Sequence, residues 1–553
     1  MNFKQKNVLY PIAIILLILW TGISWAEVNC QEPLKTKYGL VLGIDEPGID
    51  ACGYKGIPYS APPVGKLRFH APEPPSAYDG TLLADHFKPW CPQPLQLGLL
   101  SRNSSENKIS EDCLYLNIWR PKKTGKFPVM FFIHGGGLLT GSSATGMYYG
   151  ARLSAQEDVV VVTINYRLGV LGFLSHPALS FQDPHHSSGN YGLLDQISAL
   201  KWVNENISAF GGDQNNITIF GESAGGWSVC NLLVSPLAYG LFHKAIIQSG
   251  GCDTVKLLEE GYQDGEEFVK KLGCSEDDSA SCLRDKSLSE ILSAQKAMQK
   301  GGIADLKSMM KYTWIPKIDG WALKEPPIQT LQNGEFQRVP MIIGSTRDEA
   351  KIFTFAWLGI RLAPAGLVNS VGKSLLGENA ILEIKRLYPY NNYPRPADAL
   401  IDAIGDATLA CKCYDAMDAI ANFQPVYYYR FDYDRHLAPH IFGAGHALEL
   451  PFIFNTFDQP TMKLFFNQRY AKTAEPLSQI MMKYWANFAR NGNPNETGIP
   501  HWLPYDKKDK LRIYLDRETY LKSTDNVEKC EFWQSQGLLL KCNVPCLLDS
   551  SSR

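Results

Sequence analysis

Apolar positions in this chain follow two rhythms. Short continuous runs such as "PVMFFIHGGG", "DVVVVTINYR", "NITIF" and "HKAIIQSGG" end in glycine or polar residues, and several are rich in β-branched side chains. That is the pattern of strands buried on both faces. Between them, "NYGLLDQISALKWVNENISAF" carries Leu193, Leu194, Ile197, Leu200, Trp202 and Val203 at helical spacing. "SAGGWSVCNLLVSP" reads as the next helix. Strands and helices in alternation predict an α/β protein with a mostly parallel central sheet and helices on both faces. From about Gly251 to Pro340 the pattern turns more polar and predicts helical excursions. "VPMIIGSTRDEA" then returns to a buried strand, "ENAILEIKRLYPY" to a helix, and "VYYYRFDY" and "LRIYLDRE" to late strands. No repeat, low-complexity tract or linker interrupts the chain, which predicts one large domain over residues 27–553.

Residues 1–26 stand apart. Lys4 and Lys6 precede "VLYPIAIILLILW", and "TGISWA" brings small residues at Ser24 and Ala26. This is the layout of a secretory leader cut after Ala26, and it predicts a protein exported to the periplasm or the cell exterior. The apolar run is short for a span of about 20 residues, so no stable membrane anchor is expected. The 553 residues are 45% hydrophobic and 20% charged, with a formal net charge of -2. That balance supplies a large core and offers no basic field to a nucleic acid. Thirteen cysteines fit an oxidising compartment, and no paired C-x-x-C motifs argue for zinc. Their odd number leaves a thiol free or bonded to another chain. Cys230, on the helix after Ser223, reads as a buried free thiol.

The chemistry concentrates in "ITIFGESAGG", residues 217–226. A G-x-S-x-G turn between a strand and a helix is a nucleophile elbow, with a sharp bend that holds the serine hydroxyl clear of the sheet. Side chains at Gly221 and Gly225 would collide with the neighbouring strand and helix, and the helix start turns free N–H groups toward developing negative charge. A serine needs a base, and the base needs an orienting acid, in the chain order serine, acid, histidine. Among 11 histidines, His446 in "GAGHALELPFIF" is best placed on its glycine-flanked loop, with His440 in "APHIFG" the nearest competitor. "IIGSTRDEA" offers Asp348 and Glu349 just past a buried strand, and the pattern does not choose between them. "FFIHGGGLLTGSS" supplies consecutive glycines whose amides could meet an oxyanion. No G-K-[ST] follows, so the loop does not read as a phosphate cradle, and no cofactor or metal is called for.

Together these motifs resemble the type-B carboxylesterase family, α/β-hydrolases that include carboxylesterases, cholinesterases and cholesterol esterases. The resemblance runs from "YKGIPYSAPPVGKLRF" to "KCEFWQ" and includes "EDCLYLNIW", "INYRLGVLGFL", "GNYGLLDQ", "AFGGDQNNITIFGESAGG" and "AIIQSG". It implies the α/β-hydrolase fold, with helical excursions over the active site. It also implies Ser223 as nucleophile, His446 as base and Glu349 as orienting acid, because the family uses the second carboxylate of the D-E turn. Oxyanion donors would be the amides of Gly136, Gly137 and Ala224. The same resemblance implies disulfides Cys91–Cys113 and Cys274–Cys282, with Cys530 paired to Cys411 or its neighbour Cys413. It further implies structural ion pairs Arg68–Glu111 and Arg167–Asp195.

Two departures stand out. Ala350 follows the acid where the family often has glycine, which implies a small local shift. The loop between Cys91 and Cys113 contains no aromatic residue, so it lacks the tryptophan on which cholinesterases hold a quaternary ammonium. An uncharged small-molecule ester is therefore the expected substrate class. The competing expectations are a lipase for long acyl chains, with residues 353–375 over the pocket, and a non-catalytic binding or adhesion protein on the same scaffold. Glycosylation sequons begin at Asn103, Asn206, Asn216 and Asn495.

Overall fold

The apolar runs assemble into one 11-stranded sheet. In chain order its strands are β1 (Ile44–Asp45), β2 (Ala51–Pro58), β3 (Tyr115–Pro121), β4 (Phe127–Ile133), β5 (Val160–Ile164), β6 (Gly212–Glu222), β7 (Lys244–Gln248), β8 (Met341–Thr346), β9 (Val426–Phe431), β10 (Leu511–Leu515) and β11 (Tyr520–Ser523). In space they run β1-β2-β3-β5-β4-β6-β7-β8-β9-β10-β11. From β5 to β10 every neighbouring pair is parallel. The pairs toward either edge are antiparallel. This computed structural model describes residues 27–93, 109–275, 278–298, 313–353 and 361–536. The expected leader, the sequon at Asn103 and residues 354–360 of the expected pocket cover lie outside the described residues.

Period-two geometry explains why the central strands read as unbroken apolar runs. Val129, Phe131 and Ile133 of β4 join Ile217 and Ile219 of β6 in one core. Met130 and Phe132 join Phe220 in the core on the opposite face. Each such fully buried side chain contributes roughly 1.5–3 kcal/mol of transfer free energy. Helix α1 (Tyr191–Asn206) and helix α2 (Ala224–Val234) cover the first face. Helix α3 (Cys411–Ile420) joins them there. Helix α4 (Gln468–Asn491), which the sequence reading passed over, covers the second face with Met481, Met482 and Trp485. Asn467 caps α4 by accepting from the amides of Arg469 and Tyr470. Pro476 lies inside it, a residue that ordinarily argues against a helix.

Five disulfides are present among the described residues: Cys30–Cys52, Cys91–Cys113, Cys230–Cys252, Cys274–Cys282 and Cys411–Cys530. Cys411–Cys530 spans 119 residues and ties α3 to the helix Val527–Gln536, closing a loop worth roughly 4–5 kcal/mol in a chain-entropy account. The expectation of a free thiol at Cys230 is corrected. Gly226 of α2 packs directly on Gly250 after β7, where a methyl group on Gly250 would lie 2.7 Å from the Gly226 backbone. That close approach brings the Cys230 and Cys252 Cα atoms within 5.2 Å. The free thiol among the described residues is Cys413, buried on α3. Both implied ion pairs are formed, Arg68 with Glu111 and Arg167 with Asp195. The sequon nitrogens of Asn206, Asn216 and Asn495 donate to the carbonyls of Trp202, Arg490 and Trp502.

Candidate active site

The parallel register aligns the strand ends that carry the chemistry. Ile133 of β4 and Ile247 of β7 both pair with Gly221 of β6, and Gln248 pairs with Glu222. The glycine loop after β4, Ser223 after β6, Ser249 after β7 and Glu349 after β8 therefore leave the sheet along one edge. The carboxyl edge of a parallel sheet is where such folds bind ligands.

Ser223 sits at the turn from β6 into α2 with φ 58° and ψ -123°, a conformation costly for a residue with a side chain. Excluded volume holds it there. A methyl group on Gly221 would lie 2.4 Å from the Gly225 carbonyl oxygen, and one on Gly225 would lie 2.0 Å from that of Ile133. The Ser223 amide donates to the Gln248 carbonyl at 2.8 Å. The glycine loop presses on the same bend, since a methyl group on Gly135 would sit 2.9 Å from Ser223 Cβ. Gly136 turns with φ 107°, where a side chain would strike the Thr140 carbonyl, and Gly137 opens onto free space. The backbone N–H groups of Gly136, Gly137 and Ala224 have no hydrogen-bond partner among the described residues.

Glu349 and His446 are in direct contact. Glu349 Oε2 lies 2.6 Å from His446 Nδ1. Its Oε1 accepts from the Ser249 hydroxyl at 2.6 Å and from the Thr346 amide at 2.7 Å. Both side chains are buried. His446 Nε2 faces the carboxylate of Glu222, the residue immediately before Ser223, at 3.0 Å. That contact lacks the alignment of a hydrogen bond and is an ion pair when the imidazole is protonated. Among the described residues no hydrogen bond joins His446 to the Ser223 hydroxyl. Burial opposes a charge on His446, but Glu222 and Glu349 outweigh it and hold the imidazole pKa well above its ordinary value. The Phe353 ring lies 5.1 Å from the imidazole.

The alternatives left by the pattern part company here. His440 is exposed on the short helix Pro439–Phe442. Asp348 binds the backbone of the histidine loop, accepting from the Ala444 amide at 2.7 Å, and leaves the imidazole to Glu349. Three nearby groups escaped the sequence reading as site residues: Glu222, Ser249 and Glu449. The first stands inside the elbow motif and the second directly follows the next parallel strand, which are signals a strand-end search would find. Glu449 follows His446 by three residues and is wholly buried, with Gln248 Nε2 donating to it at 3.1 Å. Burial, reinforced by Glu222 and Glu349, raises its pKa far above the usual carboxylate range.

Comparison with known proteins places this geometry in context. Residues 31–533 match the model of the carboxylesterase family. The chain is 36% identical to the para-nitrobenzyl esterase of Bacillus subtilis (strain 168), over 90% of this chain and 98% of that protein. It is 34% identical to a medium-chain fatty acyl-CoA hydrolase precursor of Anas platyrhynchos, over 96% of each. Among solved structures, a Geobacillus stearothermophilus carboxylesterase superposes with a TM-score of 0.78 at 35% identity, covering 91% of this chain and 100% of that one.

Proposed function

The chain belongs to the carboxylesterase family and is a carboxylic ester hydrolase, and from that premise we propose that it works through an acyl-enzyme on Ser223. The observation that carries the proposal is the 2.6 Å contact between Glu349 and His446, made at the sheet edge where Ser223 stands in a strained bend. A hydroxyl becomes a competent nucleophile only when a base removes its proton. In the proposed reaction His446 Nε2 turns from Glu222 to Ser223 and takes that proton as the oxygen attacks an ester carbonyl. Glu349 fixes the tautomer through Nδ1 and stabilises the imidazolium that forms. The oxyanion is received by the amides of Gly136, Gly137 and Ala224, where loss of one donor would cost about 10²–10³ in kcat. The alcohol leaves with the proton from His446, and water releases the acid by the reverse route.

The substrate expected for this site is an uncharged small-molecule ester. Ser223→Ala should abolish turnover of p-nitrophenyl esters and labelling by a fluorophosphonate while leaving the melting temperature near wild type. Full turnover by that variant would end the proposal. The disulfides among the described residues fit folding in an oxidising compartment. Export after cleavage at Ala26 is part of the same reading, and N-terminal sequencing of exported protein should begin at Glu27.

A further inference from the structure

Two carboxylates sit side by side on the turn after β8, and the proposed reaction uses only one. Asp348 is 4% exposed, so its charge must be answered inside the protein. Arg347 donates to Oδ2 through Nε at 3.0 Å and Nη2 at 2.8 Å, and Lys351 Nζ lies 2.6 Å from Oδ1. Arg347 is held in turn by Asp434 and by the Asp432 carbonyl. Burial alone would favour the neutral acid, but Arg347 and Lys351 outweigh it and keep the Asp348 pKa below the ordinary carboxylate value.

All this charge is aimed at the backbone of the loop that bears His446. Oδ2 accepts from the Ala444 amide at 2.7 Å, and the Asp348 amide donates to the Ala444 carbonyl at 3.0 Å. Gly443 takes φ 57°, and a methyl group there would lie 2.2 Å from Oδ2. On its other side, the buried His436 donates from Nε2 to the Gly443 carbonyl at 2.8 Å while its Nδ1 accepts from the Ala438 amide. The loop is thus held at Gly443, at Ala444 and, through Glu349, at the imidazole of His446.

We propose that Asp348 is a positioning residue for His446, so that the acid turn grips the histidine loop twice, once by its backbone and once by its ring. A single bond to Nδ1 orients the imidazole but leaves its Cα free to shift. The second anchor lies two residues upstream and removes that freedom. A misplacement of about 1 Å can cost about 10² in rate. The inference rests on the triad reading above.

The test uses the full-length enzyme, with rates expressed per site titrated by a fluorophosphonate. Asp348→Ala should lower kcat for p-nitrophenyl butyrate by about 10²-fold with KM within about twofold, and should slow phosphonylation in parallel. Asp348→Asn should recover most of the rate, because an amide oxygen can still accept from Ala444. Gly443→Ala drives a methyl group into the same contact from the histidine side and should reproduce the kcat loss if Asp348→Ala fails to fold. A merely structural role would lower the melting temperature and leave the rate per titrated site unchanged, and that result would overturn the inference. Wild-type enzyme that does not label at Ser223 would instead defeat the triad reading.

Discussion

The two halves of the candidate site are built by different forces. Around Ser223, the proposed nucleophile, the constraint is volume. Ser223 is held in a left-handed bend by backbone pressed against Gly221, Gly225 and Gly135, and every residue of α2 behind it is buried. On the base side the constraint is polar. Glu349 receives Ser249, Thr346 and His446, and Asp348 and His436 hold the loop upstream. Repulsion between atoms is steep and indifferent to pH, so the serine's position is insensitive to conditions. Hydrogen bonds and ion pairs weaken when a partner changes its charge. The base side is therefore where activity can be tuned without dismantling the sheet.

That contrast can be broken from either direction. Short of removing the proposed nucleophile itself, the largest loss should come from Glu349→Gln, which keeps the shape but supports the wrong tautomer, and kcat should fall by about 10⁴ with KM little changed. Gly225→Ala should behave differently. It forces backbone apart at the elbow, so the melting temperature and kcat should fall together, with a destabilisation of about 3 kcal/mol or more. A stable Gly225→Ala enzyme would show that volume is not what holds the serine. Ser249→Ala removes one bond to a buried carboxylate worth about 1.5–3 kcal/mol, so kcat should drop between about tenfold and a hundredfold. Stopped-flow acylation and thermal melts on the same samples separate these cases.

The smallest change should be a shift in pH dependence, not a loss of rate. Burial lowers the His446 pKa, but Glu222 and then Glu349 raise it further, to well above the ordinary value. As the proposed base, His446 would work only when neutral, so activity should fall as pH drops through that raised pKa. Glu222→Gln removes the larger of the two raising influences. The acidic limb of kcat/KM should then move to lower pH, and a limb that stays in place would show that the Glu222 contact carries no weight in solution.

Much of this was legible because it is written in neighbouring residues. Apolar runs such as "DVVVVTINYR" became strands of the parallel core, and Gly221 and Gly225 flank Ser223 for the steric reason their spacing suggests. Other features were hidden. The α4 segment carries Pro476, which disfavours a helix, and only the Asn467 cap and packing on the second face sustain one there. Cys230 reads in sequence as a lone buried thiol, and only the contact of Gly226 with Gly250 delivers Cys252 to it.

The chain alone determined which segments would be buried, where the sharp turn would fall and which residue types could act there, because periodicity and local sterics are properties of adjacent residues. The residue pattern left Asp348 and Glu349 open and the family resemblance favoured Glu349, but only the folded molecule decided that Asp348 meets the backbone of the histidine loop at Ala444. It likewise decided that Glu222 stands at the other ring nitrogen. Those assignments depend on distances between strands far apart in sequence, and such distances are set when the sheet packs.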